Sequence, residues 1–362
     1  MDYNYNGSFH YQGGGDFDRW DSFSLDDEKR ARGKFSRVLL AITVMLLVAT
    51  VIANATVIII HLAGGDSAAL VDDGAFQLIL SSVCTYVLAF PVFLLMTRKM
   101  YYVPRIKRRM SGRDFFFFLA VSVGIMYVGS IIGNLLSEFF GLFLGGTSDN
   151  SVAELIEKTP LPLTIAIVVI IGPIFEELVF RKLLMDKLSP YGDRIAIIVS
   201  AVTFSLFHGN LYQMFYAFGI GLILAYVYSK WGNVLHTILL HAILNFWGSA
   251  IPMLLMPHLE KLEEILPELE AGSSEVMMEH APSIMLLGTY SMVQFGLVFF
   301  GLFLLFRHRK SFFVSDRCEV YIPKEKRSRV IVANVGAIVF IVYTCATVIL
   351  NLLTPLLTGA GA

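Results

Sequence analysis

An all-α fold, a polytopic helical membrane bundle of about nine spans, is what this sequence predicts. Three observations predict it. The chain of 362 residues is 56% hydrophobic and 16% charged, where a soluble domain carries roughly 25% charge. Its apolar residues collect into blocks that mostly reach the roughly 20 helical residues needed to cross a bilayer. The polar segments between the blocks alternate between basic and acidic, so the charge is sorted by side. The expected partner is therefore the lipid bilayer. The formal net charge of -1 carries no message of its own, and no nucleic-acid partner is expected.

The opening segment, "MDYNYNGSFHYQGGGDFDRWDSFSLDDEKR", is polar, Gly-rich and aromatic. It lacks the apolar stretch of a signal peptide, and its composition predicts a disordered tail over residues 1–36. A first span runs from Val38 to Leu62 and a second from Phe76 to Met96, joined by the acidic "GGDSAALVDDGA". The basic loop "TRKMYYVPRIKRRMSGR" leads to a third, Phe115 to Phe143. That run is too long for a ~30 Å core unless it tilts or projects. After the acidic "GGTSDNSVAELIEKTP", a fourth span starts at Leu161. Basic "RKLLMDKLSPYGDR" follows. Next come two runs, Ile195 to Phe207 and Leu211 to Tyr228, broken by "HGN". The first of these makes only roughly 20 Å of helix, so the break falls inside the membrane slab. Another span runs from Val234 to Met256. The acidic segment beyond it has Leu and Ile at helical spacing, which predicts a surface amphipathic helix up to Pro267. Two further spans, Ser283–Phe306 and Val330–Leu353, flank the basic "RHRKSFFVSDRCEVYIPKEKRSR".

These boundaries define a tail (1–36), an N-terminal group of spans (37–150), a core (151–257) and an acidic outer loop with the last spans (258–362). The positive-inside rule places the N-terminus in the cytoplasm and, with nine passes, the C-terminus outside. The pattern suits a bacterial cytoplasmic membrane. Cys84 and Cys345 lie in apolar spans, where they are expected as small packed residues. No zinc-type cysteine spacing is present.

Ionisable groups at bilayer depth are expensive and point to function. "FEELVFR" carries Glu176, Glu177 and Arg181 at the end of a long apolar run. Glu177 and Arg181 are four residues apart, on one helix face, and can pair. Glu176 points about 100° away and has no charged partner on its own helix. His208 ends the short run before "HGN", with Phe204 one turn earlier to floor its ring. His241 and Asn245 are again four apart and aim into one cavity, while His236 is expected at the interface. Rise along the helices places Glu176 and His241 at similar depth; His208 joins them only if its helix starts deep or tilts.

One carboxylate, two imidazoles and an amide suit two chemistries. In one, Glu176 and His208 deprotonate a water while His241 and Asn245 stabilise an oxyanion. In the other, Glu176, His208 and His241 hold a metal with an open position for water. Both hydrolyse a peptide bond. Neither a Gly-x-Ser-x-Gly nor a His-Glu-x-x-His pattern occurs.

"EELVFR" at Glu176–Arg181, "FSLFH" at Phe204–His208 and "HAILN" at His241–Asn245 resemble the motifs EExxxR, FxxxH and HxxxN. These belong to the CAAX-protease and bacteriocin-processing (CPBP, or Abi) intramembrane proteases, whose eukaryotic members are the type II CAAX prenyl endopeptidases. The resemblance covers Leu161 to Pro257. It implies an endopeptidase acting on membrane-anchored or lipidated proteins and peptides. Glu176 would be the catalytic carboxylate, with His208 activating water and His241 and Asn245 on the oxyanion side. Glu177, Arg181 and Phe204 would support them. The cofactor it implies is either none or a single divalent metal such as zinc. Two other readings stand beside it: a catalytically silent immunity or scaffold protein of the same fold, and an ion-coupled transporter.

Overall fold

The structure is a computed structural model that describes residues 23–144, 151–312, 314 and 318–358. Among these residues it is helical, and nine long helices make the bundle. They are α1 (Leu25–Leu62), α2 (Gly74–Thr97), α3 (Gly112–Leu144), α4 (Leu161–Tyr191), α5 (Asp193–Phe207), α6 (Leu211–Trp231), α7 (Val234–Glu270), α8 (Ala281–His308) and α9 (Val335–Thr358). Eight are long and apolar enough to cross a membrane. The ninth, α5, has 15 residues, about 22 Å by helical rise. It is the short run expected before "HGN".

Two boundaries differ from expectation. The tail expected over 1–36 stops well short of residue 36, because α1 already begins at Leu25; residues 1–22 lie outside the described residues. Ser24 and Asp27 form a reciprocal capping box, each side chain bonding the other's backbone N–H. Ala31 and Phe35 are fully buried one turn apart, so the charged start of α1 has an apolar stripe that packs. Likewise, the stretch from Met256 to Pro267 is not a separate helix. α7 continues through Pro257 and Pro267 to Glu270. A proline keeps helical φ and costs the helix one backbone bond, which a long helix can absorb. The divisions expected at 36/37 and 257/258 therefore both fall inside continuous helices. Cys84 is buried as expected, whereas Cys345 faces outward.

Two packed clusters form the interior. In one, α1, α2, α4, α5 and α9 meet around Phe35, Ile42, Phe93, Phe180 and Phe340. In the other, α3 packs with α6, α7 and α8 around Phe118, Val121, Leu224 and Leu240. Outward faces remain apolar: Phe299, Phe303 and Phe306 on α8 are exposed. A strip of that kind is stable only against lipid. This is an integral membrane protein.

The basic loops gather at one end. Arg105 pairs with Asp193 at 2.6 Å and lies 3.6 Å from Asp186. The Arg108 N–H donates to the Trp231 carbonyl, and the Glu319 N–H to Pro190. At the same end Glu28 of α1 meets Lys326 and Arg329. Acidic Asp72 pairs with Lys158 in another linker group. Charge sorting by side thus survives in three dimensions.

α3 and α6 approach closely because Gly129 and Gly133, four residues apart, present bare backbone to Tyr216 and Tyr212, a small-xxx-small contact. Gly129→Leu is expected to force α6 away and destabilise the detergent-solubilised protein by about 1–3 kcal/mol. Thermal unfolding indistinguishable from the parent chain would contradict this contact.

Candidate active site

The glutamates sit where α4 changes pitch. Its turns are wide, π-helical, over Ile165–Ile171 and again over Leu178–Met185, with ordinary helix at Gly172–Glu177 between them. Wide turns of this kind cluster at functional sites. Here they have a local consequence. The Gly172 N–H bonds back to the Ile167 carbonyl, and Pro173 has no N–H to offer. The Val168 carbonyl is left without a helical donor. Asn245 of α7 supplies one: its Nδ2 lies 2.9 Å from Val168 O. The amide thereby docks α7 onto α4.

One turn before Asn245, His241 meets both glutamates. Its Nδ1 is 3.0 Å from Glu177 Oε1 and its Nε2 is 3.7 Å from Glu176 Oε2. Glu177 reaches Arg181 with its other oxygen, at 3.1 Å from Nε. Glu177 and Arg181 are both fully buried, as their i, i+4 spacing predicted. The contact is one of charge. Its angle is not that of a hydrogen bond, and Arg181 Nη1 and Nη2 also lack a hydrogen-bond partner among the described residues. The guanidinium rests instead on the Phe204 ring, 4.3 Å from its centroid, a cation–π contact strengthened by desolvation.

Phe204 is the common floor of the site. His208 and His241 both stand edge-on to its ring, with centroids 4.9 and 5.6 Å away. Arg181 occupies a ring face. His208, whose depth was open on sequence grounds, is thus brought to His241 and lies within electrostatic reach of Glu176. Its Nδ1 is 2.8 Å from the Phe204 carbonyl. A carbonyl only accepts, so Nδ1 carries the proton and Nε2 keeps its lone pair. Glu177 likewise holds Nδ1 of His241. Both imidazoles therefore turn Nε2 toward chemistry.

The chain break after His208 is bonded from several sides. His208 caps α5, Gly209 takes φ +64° and Asn210 caps α6. The Gln213 N–H donates to Asn210 Oδ1, and Asn210 Nδ2 to Gln213 Oε1. α9 covers the break, with Asn351 Nδ2 donating to the Gly209 carbonyl at 2.8 Å. Irregular backbone at membrane depth needs such cover. Gln213 is a capping residue here, and His236 is half-buried on α7.

Glu176 borders a narrow, mostly apolar cleft with Met45, Tyr86, Phe90, Phe175 and Phe207. Tyr86 of α2 and Tyr216 of α6 lie within electrostatic reach of it. Neither tyrosine belongs to a motif, and no spacing rule links segments so distant. Only their aromatic character within spans was visible in sequence.

A metal was one expectation for Glu176, His208 and His241. The donor types suit zinc, and each Nδ1 is held by a carboxylate or carbonyl as in metal sites. Among the described residues, however, no three His, Cys, Asp or Glu side chains converge closely enough to hold an ion. The set as arranged does not fit a metal, and no step is routed through one.

Removing Arg181 alone strands a buried carboxylate. Arg181→Met is expected to cost about 3–5 kcal/mol, read as thermal unfolding in detergent. Glu177→Gln with Arg181→Met is expected to recover most of that loss, because both charges go together. If the double variant is no more stable than the single one, the pair is not what Arg181 serves.

Residues 158–247 match the family model described as type II CAAX prenyl endopeptidase Rce1-like. The chain is also similar to three curated proteins. It is 26% identical over 175 residues to the "Putative membrane peptidase YdiL" of Bacillus subtilis (strain 168), covering 45% of this chain and 68% of that one. It is 31% identical over 110 residues to the "UPF0177 protein YxdF" of Lactococcus lactis subsp. lactis (strain IL1403), with coverages of 30% and 61%. It is 33% identical over 115 residues to the "Membrane-embedded CAAX protease MroQ" of Staphylococcus aureus (strain USA300), with coverages of 29% and 46%. No solved structure matches. The family resemblance carried by EELVFR, FSLFH and HAILN is thus shown over residues 158–247, the segment that builds this site.

Proposed function

We propose that this chain is an intramembrane endopeptidase that hydrolyses membrane-anchored proteins or peptides with a water activated by Glu176 and His208. The observation that carries the reading is the shared Phe204 floor, which gathers both imidazoles, with His241 Nε2 3.7 Å from Glu176. Glu176 is half-buried and borders a cleft, while Glu177 is wholly enclosed. Of the two, only Glu176 can reach a water and a substrate.

In this reading a water sits between the Glu176 carboxylate and the His208 Nε2 lone pair. Glu176 takes its proton as the oxygen attacks the scissile carbonyl. The tetrahedral intermediate places negative charge on the former carbonyl oxygen. His241, protonated on both nitrogens, donates from Nε2 to that oxygen while Glu177 holds Nδ1. The free N–H of Asn245 is a second donor. Collapse breaks the C–N bond, and Glu176 returns its proton to the leaving amine. Substrates approach through lipid, so a membrane-associated or lipidated chain is the class expected; one relative is itself named a CAAX protease. The positive-inside rule puts the basic loops, and with them the start of α1, in the cytoplasm.

Glu176→Gln is expected to lower kcat by about a thousandfold or more in purified, reconstituted protein, with unfolding temperature unchanged. Full activity in that variant would overturn the reading. Exhaustive chelation is expected to leave the parent rate intact. A rate lost to chelator and restored by zinc would overturn the metal-free step.

A further inference from the structure

Resting on Glu176 as the group that activates water, we infer that Tyr86 of α2 is a positioning residue, whose hydroxyl donates to the Glu176 carboxylate. α2 lies outside the segment that matches the family model, residues 158–247. It reaches the site through its own wide helical turn, Val83–Ala89, which shifts the helix register.

Packing around Phe175 holds Tyr86 there. Its ring stacks on Phe175, the residue before Glu176, at 4.8 Å and 14° between planes. Phe90, one turn on, packs edge-on against the same Phe175 ring, at 5.4 Å. The ring position is thus tied to the glutamate's own backbone. Gly172 then leaves the gap through which the two polar groups meet. A Cβ there would lie 3.4 Å from the Tyr86 hydroxyl and 3.9 Å from Glu176 Oε1.

The surroundings leave this hydroxyl little else to bond. The cleft shared by Tyr86 and Glu176 is otherwise lined by Met45, Phe90, Phe175, Val179 and other apolar residues, with Thr85 alone polar. A hydroxyl in such a place needs a partner, and a carboxylate is the strongest acceptor available. His241 faces Glu176 Oε2. The hydroxyl and Oε1 both border the space above Gly172. Glu176 is then held at both oxygens, with one face left for water.

Tyr86→Phe keeps the stack and removes only the donor. In reconstituted protein it is expected to lower kcat about ten- to hundredfold, the worth of one hydrogen bond to a charged group. KM is expected to stay within about twofold and the unfolding temperature to hold, because α2 still packs. A loss in KM or stability alone would mark a packing role and overturn the proposal. Isotope-edited infrared spectra read the contact without turnover. The Glu176 carboxylate stretch is expected to shift between the parent and Tyr86→Phe. If Glu176→Gln is inactive yet Tyr86→Phe matches the parent in kcat and in that band, this inference fails and the Glu176 reading stands. If Glu176→Gln stays active, the functional reading fails, and the infrared shift alone then decides whether the Tyr86 contact exists.

Discussion

The buried carboxylate of Glu177 is the constraint on which the rest of this site depends. It is fully enclosed, and a lone charge there would cost several kcal/mol. Two groups from different places answer it. Arg181 lies one turn along the same helix, and His241 comes from α7. Answering the charge also fixes the chemistry. His241 must turn Nδ1 to Glu177, so its Nε2 faces Glu176. Arg181 sits over the Phe204 ring, and that ring in turn receives His208. One burial problem therefore sets the orientation of four side chains.

Backbone irregularities do the complementary work. Pro173 and the wide turn before it leave the Val168 carbonyl without a donor, and Asn245 closes that vacancy. The "HGN" break ends α5 after 15 residues, and α9 bonds the exposed carbonyl of Gly209. In each case a helix that could not satisfy its own backbone recruits another helix. In a bilayer no water is available to do so. The interhelical bonds this forces are the ones that register α7 and α9 against the core.

Much of this was legible in the chain. Spacing of four residues found Glu177 with Arg181, and His241 with Asn245, because a helix repeats every 3.6 residues. Hydropathy found the spans, and the short run before His208 announced a break at depth. What escaped were contacts without a period. Asn245 was read as aimed into a cavity, yet one of its N–H groups is bound to Val168, a partner created by a change of helical pitch. Tyr86 stands ninety positions before Glu176 and has no charge to draw attention. The start of α1 was hidden by its charged residues, although Ala31 and Phe35 bury beneath them. The span from Val234 was ended at Met256, but the helix runs on through Pro257, because a long helix absorbs one missing bond.

The central claim is that Glu176 and His208 share a water. A density map of the reconstituted protein that resolves ordered solvent tests it most directly. The account predicts one water within hydrogen-bond distance of both the Glu176 carboxylate and His208 Nε2, with His241 Nε2 facing it. A protein acceptor bonded to His208 Nε2, or a gap between the two groups too wide for one water to bridge, would contradict it.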